Sequence, residues 1–332
     1  MHLRSSAQYL VDMMNHYGRE TLELPTGTVE RFSVFDTPFD GGESRVSGHE
    51  QVQNSLYRIF ANFARQGRVN KLVLLHGPNG SAKSSLVRAL MGGLEDFSRL
   101  PAGALYSFNW IFPSDRFSSS GIGFAGPADT RSKTANGSYA YLQADDVDAR
   151  VPAEMHDHPI FLIPRDQRDA LLKRLLPEPS EEEAERDVPR TIVSDYLRHG
   201  DLSHKSRQIF DALLSSYEGD VDKVLNHVQI ERFYLSQRYR RGIATIEPQM
   251  SVDARIQQLT ADRSLASLPK ALQHTSLFEP SGPLVDANRG LLEFSDMLKR
   301  PVEAFKYLLA TVETATVSMD SFLLHLDMLF IA

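Results

Sequence analysis

Residues 71–86, KLVLLHGPNGSAKSSL, restrict the fold of this chain more than any other stretch. An apolar run of strand length, Lys71 to Leu75, leads into a Gly-rich turn from Gly77 to Ala82, then into Lys83, Ser84 and an amphipathic helical pattern. Strand, turn and helix in this order fit the phosphate-loop pattern GxxxxGK[ST]. Gly77 and Gly80 let the backbone bend so that several N–H groups point at one anion, and the positive end of the helix adds to the attraction. Pro78, Asn79, Ser81 and Ser85 complete the expected cradle for a nucleotide. Lys83 would reach the β- and γ-phosphates, and the Ser84 hydroxyl would hold Mg²⁺, so ATP and Mg²⁺ are the expected cofactors. There is one departure. Ala82 stands where a glycine is expected, and its methyl group would crowd the phosphate or require another loop path.

At 332 residues the chain has room for one large domain or two ordinary ones, each with its own core. It has no apolar run long enough to span a membrane and no basic-then-apolar leader, so a cytoplasmic location and no membrane partner are expected. The absence of cysteine excludes disulfides and thiolate zinc sites. A formal net charge of −7 argues against non-specific nucleic-acid binding by the whole surface.

Residues 1–46 read as an N-terminal segment that packs on the core or mediates assembly. From Ser47 to Gln66, Val52, Leu56, Ile59, Phe60 and Phe63 recur at helical spacing, with Ser47 as N-cap and Glu50 closing a capping box. After the phosphate loop a second helix buries Leu86, Val87, Leu90 and Met91, and Gly92 and Gly93 can end it. Ala104 to Phe112 reads as a strand with Trp110 in the core, and Ser114 to Ser138 as a long loop. His156 and His158 flank Asp157 and hold ligand-type groups, but nothing nearby completes a metal site, and a loop entering a strand at Ile160 to Ile163 is the plainer reading. Arg165 to Leu176 looks helical, and the acidic run Glu178 to Asp187 reads as a solvated linker.

Arg232 to Arg241, RFYLSQRYRR, interleaves arginines with Phe233, Tyr234 and Tyr239. Such a mixture can stack bases and hold phosphates. It also suits an amphipathic element whose arginines meet acidic partners, which the acidic total favours; nucleic acid is therefore not an expected partner. In LVDANRGLLEFSDMLKRP, Leu284 to Pro301, Leu291 and Leu292 lead to Glu293, with Asp296 three positions on. A phosphate-loop ATPase needs acids at the end of a second core strand, one for Mg²⁺ and one to polarise water. Adjacent acids are usual there, so the spacing leaves their division of labour open, and a helix N-terminus would suit the same acids.

The stretches GPNGSAKSSL, ERFYLSQRYRRG, TIEPQMSVDARIQQLTADRSLASLP and LFEPSGPLVDANRGLLEFSDMLKRPVEAFKYLL together resemble the PrkA family, bacterial proteins described as serine protein kinases with an N-terminal AAA-type ATPase region. The resemblance covers the chain from about Ser47 to its end. It implies an α/β fold, a P-loop NTPase of AAA type with a mostly parallel sheet flanked by helices, residues 47–332 forming the ATP-binding domain with a mixed insertion at about 114–241. It implies Lys83, Glu293 and Asp296 as catalytic residues and Ser84, Glu293 and Asp296 as metal contacts. The kinase signature residues HRD and DFG have no counterpart in the sequence. AAA proteins of this kind continue past an apolar run like DMLFIA into a helical lid, so a missing lid and weak turnover are expected. The resemblance implies Mg-ATP binding and hydrolysis coupled in the intact family to phosphorylation of serine on a protein substrate the sequence does not identify; a protein-remodelling or protease-type machine with a homo-oligomeric ring, and a nucleotide-sensing scaffold without turnover, stay open as alternatives.

Overall fold

A computed structural model describes residues 2–25, 27–114, 137–175, 192–248, 255–258, 278–299, 306–319 and 322–332. In chain order its first elements are α1 (Ser6–Tyr17), β1 (Arg19–Leu24), β2 (Gly27–Phe32), α2 (Glu50–Gln66), α3 (Lys83–Arg99), β3 (Leu105–Pro113) and β4 (Val147–Pro152). Then come α4 (Arg165–Leu175), α5 (Asp195–His199), α6 (His204–Ser216), α7 (Val221–Leu225), β5 (Val228–Phe233) and β6 (Ile243–Ile246). The last are β7 (Arg255–Gln258), β8 (Phe278–Ser281), α8 (Pro283–Asp286), β9 (Leu291–Phe294), α9 (Lys306–Thr314), β10 (Thr316–Met319), β11 (Phe322–His325) and β12 (Leu329–Ile331).

Continuous apolar runs build the central parallel sheet, in the order β12, β9, β6. Ile243, Ala244, Ile246, Leu291, Leu292, Phe294, Leu329, Phe330 and Ile331 are all buried, as parallel strands covered on both faces require. The run Lys71 to Leu75 lies along the free edge of β12. Val73 N–H donates to Phe330 O at 2.9 Å, Leu75 N–H to Ala332 O at 2.7 Å, and Ala332 N–H to Val73 O at 2.9 Å. The pairing amounts to one parallel bridge, Val73 with Ile331, so the expected strand is an abbreviated one. One core unites this sheet with α1, α2 and α3.

A second core lies under an antiparallel sheet in the order β4, β3, β5, with Phe108, Trp110, Phe112, Phe161, Leu197, Ile209 and Phe210 buried. This sheet takes in Leu105–Pro113, ahead of the position 114 where the insertion was expected to open. Three further antiparallel hairpins pair β1 with β2, β7 with β8 and β10 with β11. Among the described residues the sheet of β12, β9 and β6 is wholly parallel and the other four are antiparallel, so a parallel core sheet with antiparallel additions meets the expectation in broad outline.

Local corrections have local causes. Helix α2 starts at Glu50 after His49 in a left-handed conformation, with no side-chain cap from Ser47. Gln53 fixes that end instead: its amide donates to Gly48 O at 3.0 Å and accepts Phe32 N–H at 3.0 Å. This turns Gln53 inward and leaves Val52 and Ile59 each 36 % exposed. Gly92 and Gly93 do not end α3, which runs on to Arg99. A Cβ at Gly92 would stand 2.8 Å from the Phe39 side chain, and one at Gly93 would stand 2.8 Å from Val34, so both admit close packing in mid-helix. Pro159–Leu162 is a 3-10 turn rather than a strand. Most of the loop 114–138, the acidic run 178–187 and residues 300–305 lie outside the described residues.

Candidate nucleotide-binding site

The loop from Gly77 to Ala82 leaves the edge segment at its carboxyl end and enters α3, the position where open α/β sheets place ligands. Gly80 has φ +80°, which favours glycine, and a Cβ at Gly77 would stand 2.8 Å from Ser81 Oγ, so that hydroxyl would have to move. Ala82 is the N-cap of α3 with φ 58° and ψ 17°. That is the left-handed region, which disfavours a side chain by roughly 1–2 kcal/mol. The local reason for the glycine in the usual pattern is therefore visible in the backbone of the residue that replaces it.

No side chain caps α3, and its first intrahelical bond is Leu86 N–H to Ala82 O at 2.9 Å. The N–H groups of the first turn are thus left facing the loop, with the helix dipole behind them. Ser84 is exposed and Ser85 half-buried; Pro78, Asn79 and Gly80 are exposed. Lys83 folds back over the loop, its ammonium donating to Gly77 O at 2.8 Å, Pro78 O at 2.8 Å and Ser81 Oγ at 3.3 Å. All three of its protons are held there, so engaging an anion means exchanging loop acceptors for phosphate oxygens.

Glu293 belongs to β9, a core strand and not a helix N-terminus. Its carboxylate accepts from Thr245 Oγ1 at 2.8 Å, across the parallel register that sets Thr245 beside Glu293. Burial pushes its pKa up, while the hydroxyl of Thr245 and the charge of Arg88 oppose the rise. Arg88 lies on α3 one turn beyond Ser84, so the phosphate-loop helix and the acid strand are in electrostatic reach of one another. Asp296 sits past the end of β9 at φ 49° and pairs with Lys299 at 2.8 Å, both exposed. The structure therefore orients Glu293 through Thr245 and leaves Asp296 engaged in its own turn.

Among the described residues no three His, Asp or Glu side chains converge as a metal site. His156 and His158 have other work. His158 Nδ1 accepts Ile160 N–H at 3.1 Å with its Nε2 3.0 Å from His2 O, and His156 stacks on Phe233 at 5.0 Å. Arg232 donates to Ser98 O and Leu100 O at 2.8 and 2.7 Å, capping the C-terminal end of α3.

Two contributions escape a reading by motif. Thr245 is found only through strand register, whereas Arg88 could have been picked out by its four-residue spacing from Ser84. The larger omission is Asn288–Arg289–Gly290, just ahead of Glu293. Arg289 is buried at φ 69°, donates to Tyr106 O at 2.5 Å and His156 O at 3.1 Å, and lies 5.0 Å from the Phe233 ring. Asn288 donates to Met155 O at 2.6 Å and accepts Asp327 N–H at 3.0 Å. Gly290 N–Cα packs so closely on Gly242 that a Cβ would overlap its carbonyl oxygen. These residues fasten the acid strand to the antiparallel sheet.

Comparison with known proteins bears on the family. A Bacillus subtilis (strain 168) protein described as ATP-dependent protease PrkA is 22% identical over 309 residues, covering 91% of this chain and 37% of the relative. A span of that size necessarily includes both the phosphate loop and β9, although the chain represents well under half of the relative's length. No solved structure matches. No helix among the described residues is long and apolar enough to cross a membrane. The PrkA AAA domain matches residues 140–332, more than half of the chain, and the chain belongs to that family.

Proposed function

We propose that this chain is a Mg-ATP-binding AAA-type ATPase unit that works on polypeptide. The observation that carries the reading is the uncapped start of α3 ringed by Gly77–Ala82, with Lys83 already at the loop's centre. Gly77, Pro78, Asn79, Gly80, Ser81, Ala82 and Ser85 shape the cradle; Lys83 neutralises phosphate charge and Ser84 supplies the hydroxyl for Mg²⁺. When bound, Mg²⁺ would neutralise charge developing on the transferred phosphoryl group. Glu293, oriented by Thr245, is the better placed of the two acids to order the attacking water or a metal-bound water, and Asp296 is the outer acid.

The related protein's description as an ATP-dependent protease favours hydrolysis that drives work on a polypeptide. Phosphorylation of protein serine is the second reading, supported by the PrkA family's description as serine kinases, and a homo-oligomeric ring is the assembly a motor of this class would form. The test follows γ-labelled ATP with the wild-type chain, Lys83→Ala and a generic acceptor protein. Free phosphate that depends on Lys83 supports the motor, and label on serine transfers the assignment to kinase chemistry. Turnover unchanged in Lys83→Ala would overturn both.

A further inference from the structure

After Lys83, the next charged side chain along α3 is Arg88. It follows Ser84 by four residues, so the two share a face of the helix. Both are exposed, while Leu86, Val87, Ala89 and Leu90 are buried. Side chains of an α-helix lean towards its N-terminus, which carries the Arg88 guanidinium back over the turn of Ser84 and not away from it.

An exposed helical arginine can spend its charge on an acid one turn away, as Arg99 does on Glu95 at 3.0 Å. Arg88 has Ser84 and Ser85 one turn before it and Met91 and Gly92 one turn after, so its own helix offers it no carboxylate. Its guanidinium makes no hydrogen bond, ion pair or ring contact with any described residue. Lys83 is the opposite case, with its three protons already held by the loop.

The acid within reach of this charge lies on the parallel sheet. After burial and the hydroxyl of Thr245, Arg88 acts on Glu293 by favouring its ionised form, and Glu247 acts by disfavouring it. Strand register accounts for Glu247. Ser295 N–H donates to Ile246 O at 3.1 Å, which continues the ladder of β6 and β9, so Glu247 stands two residues past Thr245 on the face that Thr245 shares with Glu293. A phosphate that comes to lie beside these strand ends meets two carboxylates, and a cation is needed to offset their repulsion.

We propose, on the reading of Gly77 to Ser84 as the nucleotide loop, that Arg88 contacts the γ-phosphate and so distinguishes a nucleoside triphosphate from a diphosphate. The loop N–H groups cradle the α- and β-phosphates and Lys83 reaches the β and γ positions. Only the γ-phosphate extends past Ser84 towards the acid strand, where a planar guanidinium can take two of its oxygens at once.

The test titrates Mg-ATPγS and Mg-ADP calorimetrically into the wild-type chain, Arg88→Gln, Arg88→Lys and Lys83→Ala, with melting temperatures measured without nucleotide. Arg88→Gln is expected to bind Mg-ATPγS about tenfold more weakly and Mg-ADP within about twofold of the wild type, and Arg88→Lys to recover part of the loss. Lys83→Ala should weaken both nucleotides. Wild-type binding that Lys83→Ala abolishes and Arg88→Gln leaves intact would overturn the role of Arg88 while the loop keeps its nucleotide. An equal loss of both nucleotides in Arg88→Gln would overturn it too, because a merely structural arginine would behave that way. A wild-type chain that takes up neither nucleotide would overturn the loop reading and this role together.

Discussion

At the start of α3 the backbone is exposed, uncapped and held by a lysine that can let go; at Asn288–Arg289–Gly290 a similar vocabulary of arginine, amide and glycine is buried, with its hydrogen bonds made within the protein. Both turns use left-handed backbone, at Ala82 and at Arg289. In the loop, Gly80 supplies a left-handed turn and Gly77 clears space for the Ser81 hydroxyl. At the junction, Gly290 and Gly242 clear space for each other, so that β9 and the β5–β6 connection can touch. The lesson is that polar residues in a glycine-rich motif act as ligands where their groups are left unspent, and as fasteners where they are consumed.

Arg289→Ala should break this contrast most severely. It strands the carbonyls of Tyr106 and His156, a loss of about 1–3 kcal/mol for each acceptor left unsatisfied. Denaturant unfolding checks this, and nucleotide affinity per folded molecule should be little changed. Next comes pH. Burial lowers His156 to a pKa of about 4 from the ordinary 6.5, so between these values the unfolded chain binds a proton that the native one does not. Stability from this residue is present above pH 6.5 and lost as pH falls towards 4, a total of about 3 kcal/mol. His156→Asn keeps a residue that tolerates φ 52° and should flatten the curve between those values by that amount.

Smaller effects probe the loop. Ala82→Gly relieves left-handed strain and should tighten nucleotide binding or raise stability by about 1 kcal/mol, read by titration and by melting. Lys299→Ala removes an exposed ion pair with Asp296 and should change stability by no more than about 0.5 kcal/mol. A larger loss of turnover in that variant would promote Asp296 from the outer turn to the chemistry.

The sequence announces the loop because its requirements are local: two glycines, a lysine and a serine at fixed spacing before a helix. It announces β9 less clearly. Leu291 to Phe294 is too short a run to distinguish strand from helix, and its assignment depends on β6 and β12, which lie far away in the chain. The antiparallel sheet is illegible for the same reason, since β3 pairs with β4 and β5 across long connections. The inward turn of Gln53 is not legible in the sequence, because its partners Gly48 and Phe32 are brought to it by the tertiary fold. Arg289, standing in a segment valued for its acids, is understood only when its distant acceptors Tyr106 and His156 are known.

Calorimetric titration of Mg-ATPγS into the wild-type chain and into Lys83→Ala, with the melting temperature of both measured alongside, tests the central claim most directly. The account predicts saturable binding to the wild type and at least a tenfold loss in Lys83→Ala, with melting temperatures that agree in the absence of nucleotide. Equal affinity in the two folded proteins would contradict it, because the loop of α3 would then not be where the nucleotide binds.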